Sequence, residues 1–385
     1  MRFLFASDSF KGSLSSLKTG ELLTKAAQDV FPGCSCHTVP MADGGEGTAE
    51  AVILATGGQW VPVKVRGPLG DPIEAGYGLL PEGSAIIEMA SASGLVLVPP
   101  ALCDPRNTST YGTGELIEKA LADGCRDITI AIGGSATNDG GMGCLRALGV
   151  QFMDEEGKEL EGKGSDLAKV RRIDADGLLP TAKEARFTVM CDVDNPLLGP
   201  EGATFTFGPQ KGAVPAIRDE LEAGMKNYAE VLLRDLGADT GFPGAGAAGG
   251  LGAALKIFLG ADMRSGSDAV LDLVGFDGLL KDADLVVTGE GRIDWQSAHG
   301  KVVAGVGKRC QKAGVPCIAI VGGMGERASD MLSLVDSIVP IVPGPCSLET
   351  AMEQAEELYA DAALRTMRLI RAASELSLEH TRPDK

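Results

Sequence analysis

The sequence predicts an α/β protein. A doubly wound, five-stranded parallel sheet is assembled from the two ends of the chain, and a second α/β domain is inserted between its second and third strands. Three observations predict this. The first sixty residues alternate short apolar runs with helical periodicity in the order β-α-β-α, and the same grammar returns from Leu285 onward. Between them, residues 60–89 alternate apolar and polar side chains around a Gly67-Pro68-Leu69-Gly70-Asp71-Pro72 turn, the pattern of an antiparallel meander. At 385 residues the chain exceeds what one core usually serves. The expected domains are 1–59 with 281–385, and 60–280.

The elements follow in order. Arg2 to Ala6 is a short buried strand that empties into Ser7-Asp8-Ser9-Phe10-Lys11-Gly12-Ser13. Ser13 or Ser15 caps a helix carrying Leu17, Leu22, Leu23, Ala26, Ala27 and Val30 at helical spacing, and Pro32-Gly33 stops it. Cys36 to Val39 is the second strand, followed by Met41-Ala42-Asp43-Gly44-Gly45-Glu46-Gly47-Thr48 and a helix through Ala49, Val52 and Leu54. After the meander, a strand over Asp127–Ile132 leads into the run Gly133 to Gly143, and a strand over Phe187–Cys191 leads into Asp192. Residues 151–180 are polar and mixed. Helices are expected near 214–236 and 250–259.

Leu285, Val286 and Val287 form a third buried parallel strand. It is expected to break at the turn Thr288-Gly289-Glu290-Gly291, with a helix starting near Ser297. Strands at Pro316–Val321 and Ser337–Val342 and a helix near 348–373 complete the chain, and 376–385 are expected to fray. That last helix carries Leu348, Met352, Ala355, Tyr359, Ala362 and Ile370 as a core stripe. The economical strand order is 2-1-3-4-5. Strands 1 and 3 then flank the switch point, where ligands bind beyond the carboxyl ends. Strand 1 delivers Asp8 and Lys11 there and strand 3 delivers Arg292 and Asp294, with the inserted domain closing over the pocket.

Composition narrows the function. A net charge of −18 argues against nucleic acid or an anionic membrane as partner, and no apolar run approaches the ~20 residues of a membrane span. Glycine, at 53 residues, is about double the usual ~7%, and it clusters with polar residues in a way that suggests ligand loops. Lys11, Arg66, Arg106, Lys211, Arg292 and Lys301 sit beside such stretches, as local cations for a small anionic substrate would. Nine scattered cysteines suit a reducing cytoplasm. Cys34, Cys36 and His37 are too tightly spaced for a usual zinc site. The first residues meet Asp8 too early for a signal peptide.

Three stretches carry chemistry. Gly133, Gly134, Ser135, Thr137, Asn138 and Asp139 lie between a strand and a helix, where backbone N–H groups and hydroxyls suit phosphate oxygens. With Lys211 and Gly246 they are the expected nucleotide-binding residues. Gly244 to Gly249 spells GxGxxG but follows no strand, so it reads as a close-packed helix start or a phosphate loop. Neither is a Walker loop, since Gly300-Lys301 is followed by Val302. Asp192 either takes a proton or holds a metal, or else caps the Asp194-Asn195-Pro196 turn. Lys11 and Arg292 neutralise phosphate or grip a carboxylate. The expected catalytic set is Asp192, Lys11, Arg292 and Asp294. Asp8, Ser9, Asp43 and Glu290 are expected to bind substrate, and Asp192 and Asp294 to bind metal.

With these loops in view, the chain resembles the glycerate kinase family, of the bacterial type that forms 2-phosphoglycerate. The matching stretches are Asp8 to Ser13, Met41 to Thr48, Gly133 to Gly143, Cys191 to Leu197, Phe207-Gly208-Pro209-Gln210-Lys211-Gly212-Ala213, Gly244 to Gly252 and Thr288 to Asp294. They span nearly the whole chain in order. The resemblance implies a flavodoxin-like domain carrying an inserted α/β domain, ATP-dependent phosphorylation of D-glycerate, and Mg²⁺. A homodimer is compatible with it. Alternatives are phosphorylation of the 3-hydroxyl, a metal-dependent hydroxy-acid lyase or isomerase, and a non-catalytic small-acid sensor.

Overall fold

The computed structural model describes residues 1–45, 47–298 and 301–379. Glu46 of the second glycine loop, His299, Gly300 and the stretch 380–385 lie outside the described residues. By its contacts the chain divides into two compact units, Met1–Asp43 with the chain from Ser267 onward, and Gly44–Gly266.

In the first unit, β1 (Arg2–Ser7) leads to α1 (Ser16–Val30) and β2 (Ser35–Thr38). Of the two candidate caps, Ser15 is the N-cap, its hydroxyl accepting the Lys18 N–H at 3.1 Å. Leu23, Ala26, Ala27 and Val30 of this helix are buried in a cluster with Phe3, Phe5 and Tyr359, whereas Leu17 is exposed.

The second unit opens on α2 (Thr48–Thr56) and a meander of β3 (Gln59–Arg66), β4 (Pro72–Leu79) and β5 (Ser84–Glu88), paired antiparallel as the alternation predicts. It continues through α3 (Ala90–Ser93), α4 (Tyr111–Ala122), β6 (Asp127–Ala131) and α5 (Met142–Ala147). The polar stretch 151–180 holds a two-stranded antiparallel ribbon, β7 (Gln151–Met153) with β8 (Arg172–Asp174), too short to leave a period in the sequence. Then come α6 (Pro180–Glu184), β9 (Arg186–Met190), α7 (Ala203–Phe207), α8 (Pro215–Leu236), α9 (Ala247–Leu259) and β10 (Asp262–Arg264). The sheet order is β10-β9-β6-β5-β4-β3, with β5, β6, β9 and β10 parallel.

The chain returns to the first unit through α10 (Gly266–Leu273) and α11 (Phe276–Leu280). After β11 (Leu285–Ile293) come α12 (Val302–Ala313), β12 (Cys317–Met324), β13 (Ser337–Pro340), α13 (Leu348–Glu353) and α14 (Ala355–Glu379). The sheet order is β13-β12-β11-β1-β2, all parallel, which is the predicted 2-1-3-4-5. β1 and β11 are buried on both faces, hence their unbroken apolar runs.

Three expectations are corrected. The unit boundaries fall at 43/44 and 266/267 instead of 59/60 and 280/281. The reason is packing: α2 lies on β4 and β5, its Ala49 N–H donating to Glu88, while α12 holds α10 and α11 through Arg309. Thr288 to Gly291 is not a turn, because β11 runs straight through it, pairing Gly289 with Ile320 and Arg292 with Gly323. Its glycines permit close backbone approach: a Cβ on Gly289 would lie 2.1 Å from the Ile320 carbonyl oxygen, and one on Gly322 2.2 Å from that of Gly291. Finally, α12 starts at Val302; a single 3₁₀ turn, Trp295–Ala298, occupies the place of the helix start expected near Ser297.

Candidate active site

The carboxyl ends of β1, β11 and β12 open onto a cavity of about 760 Å³ within the first unit. Lys11 and Arg292, remote in sequence, both line it, together with Asp8, Ser9, Asp43, Glu290 and Lys301. The parallel register explains the meeting: Ser7 pairs with Gly289, so the loop after β1 and the last residues of β11, Glu290 to Ile293, lie side by side at the carboxyl end of the sheet. The Asp8 N–H extends this pairing to the Gly289 carbonyl at 2.9 Å.

Charges alternate around the polar wall. Lys11 Nζ stands 3.2 Å from Asp43 Oδ2, and Lys301 Nζ 3.7 Å from Glu290 Oε2. Arg292 Nε lies 3.9 Å from Asp294 Oδ2, and the Asp294 N–H donates to Ser297 Oγ at 3.2 Å. Burial works against the charge on Lys11, but Asp43, Asp8 and Glu290 outweigh it and keep the amine protonated above its ordinary range. Asp8 is buried, and desolvation followed by the neighbouring Asp43 charge raises its carboxyl from 3.8 to about 7. The Ser9 N–H, donating to Asp8 Oδ1 at 2.7 Å, and Lys11 oppose that rise. Glu290 is also held above the usual carboxylate range, first by burial, and its Oε1 has no hydrogen-bond partner among the described residues. One cavity thus combines fixed cations with a buried carboxyl that exchanges its proton near neutrality.

The opposite wall is apolar. Ile341 and Val342 continue from β13, and Met324, Leu348 and Met352 face the cavity while remaining 49%, 76% and 39% exposed. The periodic stripe predicted as core therefore divides. Ala355, Tyr359 and Ala362 are buried, whereas Leu348 and Met352 sit on the separate short helix α13, before the break at Gln354.

The glycine loop of the second unit has a different character. Only Gly133 and Gly134 are exposed; Ser135, Thr137, Asn138 and Asp139 are buried. Asp139 accepts the N–H groups of Thr110, Gly141 and Gly143 at 2.8, 3.1 and 3.2 Å, so donors expected to face phosphate are engaged by the loop's own carboxylate. Lys211 is buried and donates to the Thr137 carbonyl at 2.6 Å; desolvation lowers its amine to about 7, with Asp139 opposing. Gly246 donates to the Asn195 carbonyl at 3.0 Å, and a Cβ there would lie 2.2 Å from the Pro196 oxygen. Gly249, at φ +67°, lets the start of α9 pass against the Thr137 carbonyl. Ser135 to Asp139 and Lys211 form a buried polar cluster behind the exposed Gly133 and Gly134, and the GxGxxG run packs closely at the start of α9.

A glycerate kinase family profile matches residues 3–371. The chain belongs to the glycerate kinase family. It is 45% identical over 382 residues to a glycerate kinase of Bacillus subtilis strain 168, covering 98% of each chain. It is 47% identical over 326 residues to a glycerate 2-kinase of Escherichia coli K12, covering 84% of this chain and 86% of that one. A crystal structure named for glycerate kinase 2 from Salmonella typhimurium LT2 superposes with a TM-score of 0.89 at 42% identity, covering 97% of this chain and 99% of that one.

For a member of this family, the predicted site residues divide between the units. Lys11, Asp8, Ser9, Asp43, Glu290 and Arg292 converge on the one cavity, with Asp294 next to it through Arg292. Asp192 belongs to the second unit, where its Oδ1 accepts the N–H of Gly266, the first residue of α10, at 2.9 Å. Arg66 stacks on the Tyr111 ring and Arg106 pairs with Asp104 and Glu220, so these two loop cations have structural partners. Sequence reasoning missed the apolar wall, for which Gly322-Gly323-Met324 at a strand end and Pro343-Gly344-Pro345 before α13 were the available signals. Among the described residues no three His, Cys, Asp or Glu side chains converge to hold a metal ion, and no helix is long and apolar enough to cross a membrane.

Proposed function

We propose that this chain phosphorylates D-glycerate on its 2-hydroxyl, with ATP as phosphoryl donor. The observation that carries the reading is the convergence of Lys11, Arg292 and Lys301 around the buried Asp8 in one cavity of a glycerate kinase family member. The 2-position is supported by the Escherichia coli relative named glycerate 2-kinase.

In the proposed reaction Arg292, a planar fork of donors, holds the glycerate carboxylate. Asp8 takes the proton of the 2-hydroxyl as that oxygen forms its bond to the γ-phosphorus. The bond from phosphorus to the bridging oxygen breaks, and ADP leaves with the electron pair. A base whose proton affinity lies near the operating pH is the efficient choice, and Asp8 meets this better than Asp192, which caps a backbone N–H in the other unit. Lys11 and Lys301 offset the negative charge gathered by the transferred phosphoryl group. Hard carboxylate oxygens suit Mg²⁺. Such an ion commonly takes only one or two protein carboxylates and completes its shell with phosphates and water, so the lack of a three-ligand cluster among the described residues is no obstacle. Asp294 would hold it, and the ion would neutralise nucleotide phosphate.

The test is incubation with D-glycerate and Mg²⁺, with and without ATP, read by phosphorus NMR. ATP-dependent 2-phosphoglycerate is expected. Formation of 3-phosphoglycerate would overturn the position, and turnover without ATP would overturn the kinase reading.

A further inference from the structure

We propose that the apolar wall of the first unit's cavity, formed by Met324, Leu348 and Met352 over Ile341 and Val342, seats the purine ring of the nucleotide co-substrate. The inference rests on the kinase reading above and adds to it where the nucleotide lies.

The argument starts from a mismatch. Glycerate carries oxygen on every carbon, so its partners are the cations and carboxyls of the polar wall. It has nothing to place against large aliphatic side chains, and it is small beside a cavity of about 760 Å³. Pockets of 300–1,000 Å³ commonly enclose drug-sized ligands, and they are mostly apolar with a few placed polar groups. This cavity has that division: cations on one side, three exposed hydrophobic side chains on the other. Exposed apolar side chains grouped in one concave wall mark a binding surface more strongly than the same residues scattered.

The wall also has the chemistry of a base site. Two of its three exposed side chains are methionines, whose unbranched thioethers adapt to a flat ring and make favourable sulfur–aromatic contacts. The backbone beneath is open: a Cβ built on Gly323 would meet nothing within 4 Å. A base on this wall would share one cavity with Lys11, Arg292 and Lys301, where phosphoryl transfer is proposed. Independently, in the loop with the stronger nucleotide signature Ser135 to Asp139 are buried, and the N–H groups of Gly141 and Gly143 are engaged by Asp139.

Leu348→Gln with Met352→Gln in the full-length chain tests this, since both side chains are exposed and their loss leaves the core intact. ADP binding by titration calorimetry and the KM for ATP should each weaken about tenfold, equivalent to about 1.4 kcal/mol. The KM for D-glycerate and the binding of tripolyphosphate, which has no base, should change less than about twofold. Photolysis with 8-azido-ATP should label within residues 324–352. Unchanged ADP affinity in a variant with wild-type melting, or labelling confined to residues 133–143, would overturn the assignment. ADP binding needs no turnover, so it still tests the wall if the wild-type protein fails to phosphorylate glycerate, an outcome that rejects the kinase reading alone.

Discussion

Replacing Asp8 by Asn should abolish turnover and at the same time stabilise the protein, and the gain should depend on pH in a defined window. Burial and the nearby Asp43 raise this carboxyl from 3.8 to about 7, so the folded protein keeps a proton that the unfolded chain releases. Between those two values the unfolded state binds fewer protons, and wild-type stability falls as pH rises. Above about 7 the cost is complete. At about 1.4 kcal/mol per decade the rise corresponds to roughly 4 kcal/mol. The Ser9 N–H bond to the carboxylate is already included in that net rise, so a gain of about 4 kcal/mol is expected at pH 8, and almost none at pH 4.

The difference between the two proteins is the quantity to measure. Lys11, Asp43 and Glu290 face this position in both. Trp295 lies in the first unit and Trp60 in the second, so urea unfolding followed by Trp295 fluorescence in a Trp60→Phe background reports the unit that carries the change. Turnover of Asp8→Asn should fall about 10²–10⁴-fold, the usual contribution of a general base. Wild-type kcat should rise with pH up to about 7 and then level. A stability difference that stays flat from pH 4 to pH 8, or a variant retaining a tenth of wild-type turnover, would refute the assignment of Asp8 as a buried proton acceptor.

Lys211→Arg should cost about 3 kcal/mol by denaturant unfolding, because a larger and permanently charged guanidinium replaces an amine that burial drives towards neutrality. Gly249→Ala should cost about 2 kcal/mol or more in the same assay, since φ is +67° and the new Cβ would lie 2.1 Å from the Thr137 carbonyl oxygen. Arg309→Met should cost only about 1 kcal/mol, because the partner carboxylates of Asp272 and Asp277 are largely exposed, and the loss should shrink at high salt.

The first unit's topology was legible because its strands are buried on both faces. Phe3 to Ala6 and Leu285 to Val287 are unbroken apolar runs, and such runs, separated by helical periodicity, leave few orders for a parallel sheet. The meeting of Lys11 with Arg292 followed from that order. What was not legible depended on a neighbour distant in sequence. Gly289 marks a turn or a crowded strand according to what lies beside it, and here the Ile320 carbonyl decides. Leu348 and Met352 keep helical spacing with Ala355 and Tyr359 whether they face a core or a ligand. Only the break at Gln354 turns them onto the cavity.

The two glycine-rich regions show why composition alone does not tell a phosphate cradle from a close crossing of two chains. A cradle for phosphate and a buried crossing of two chains need the same thing, a backbone without side chains and with its N–H groups pointing inward. The difference lies in which acceptor arrives first. Around Gly141 and Gly143 the chain supplies its own anion: Asp139 is held at four hydrogen bonds, counting the Thr110 hydroxyl at 2.7 Å. A carboxyl so placed occupies the N–H groups that a bound phosphate would, although burial raises it above the usual carboxylate range. In the first unit the corresponding carboxyls, Asp8 and Glu290, face the cavity itself. Both are held above the usual carboxylate range, first by burial, as Asp139 is too despite its four hydrogen bonds. A glycine loop that binds its own carboxyl is thus partly satisfied from within, which its composition does not reveal.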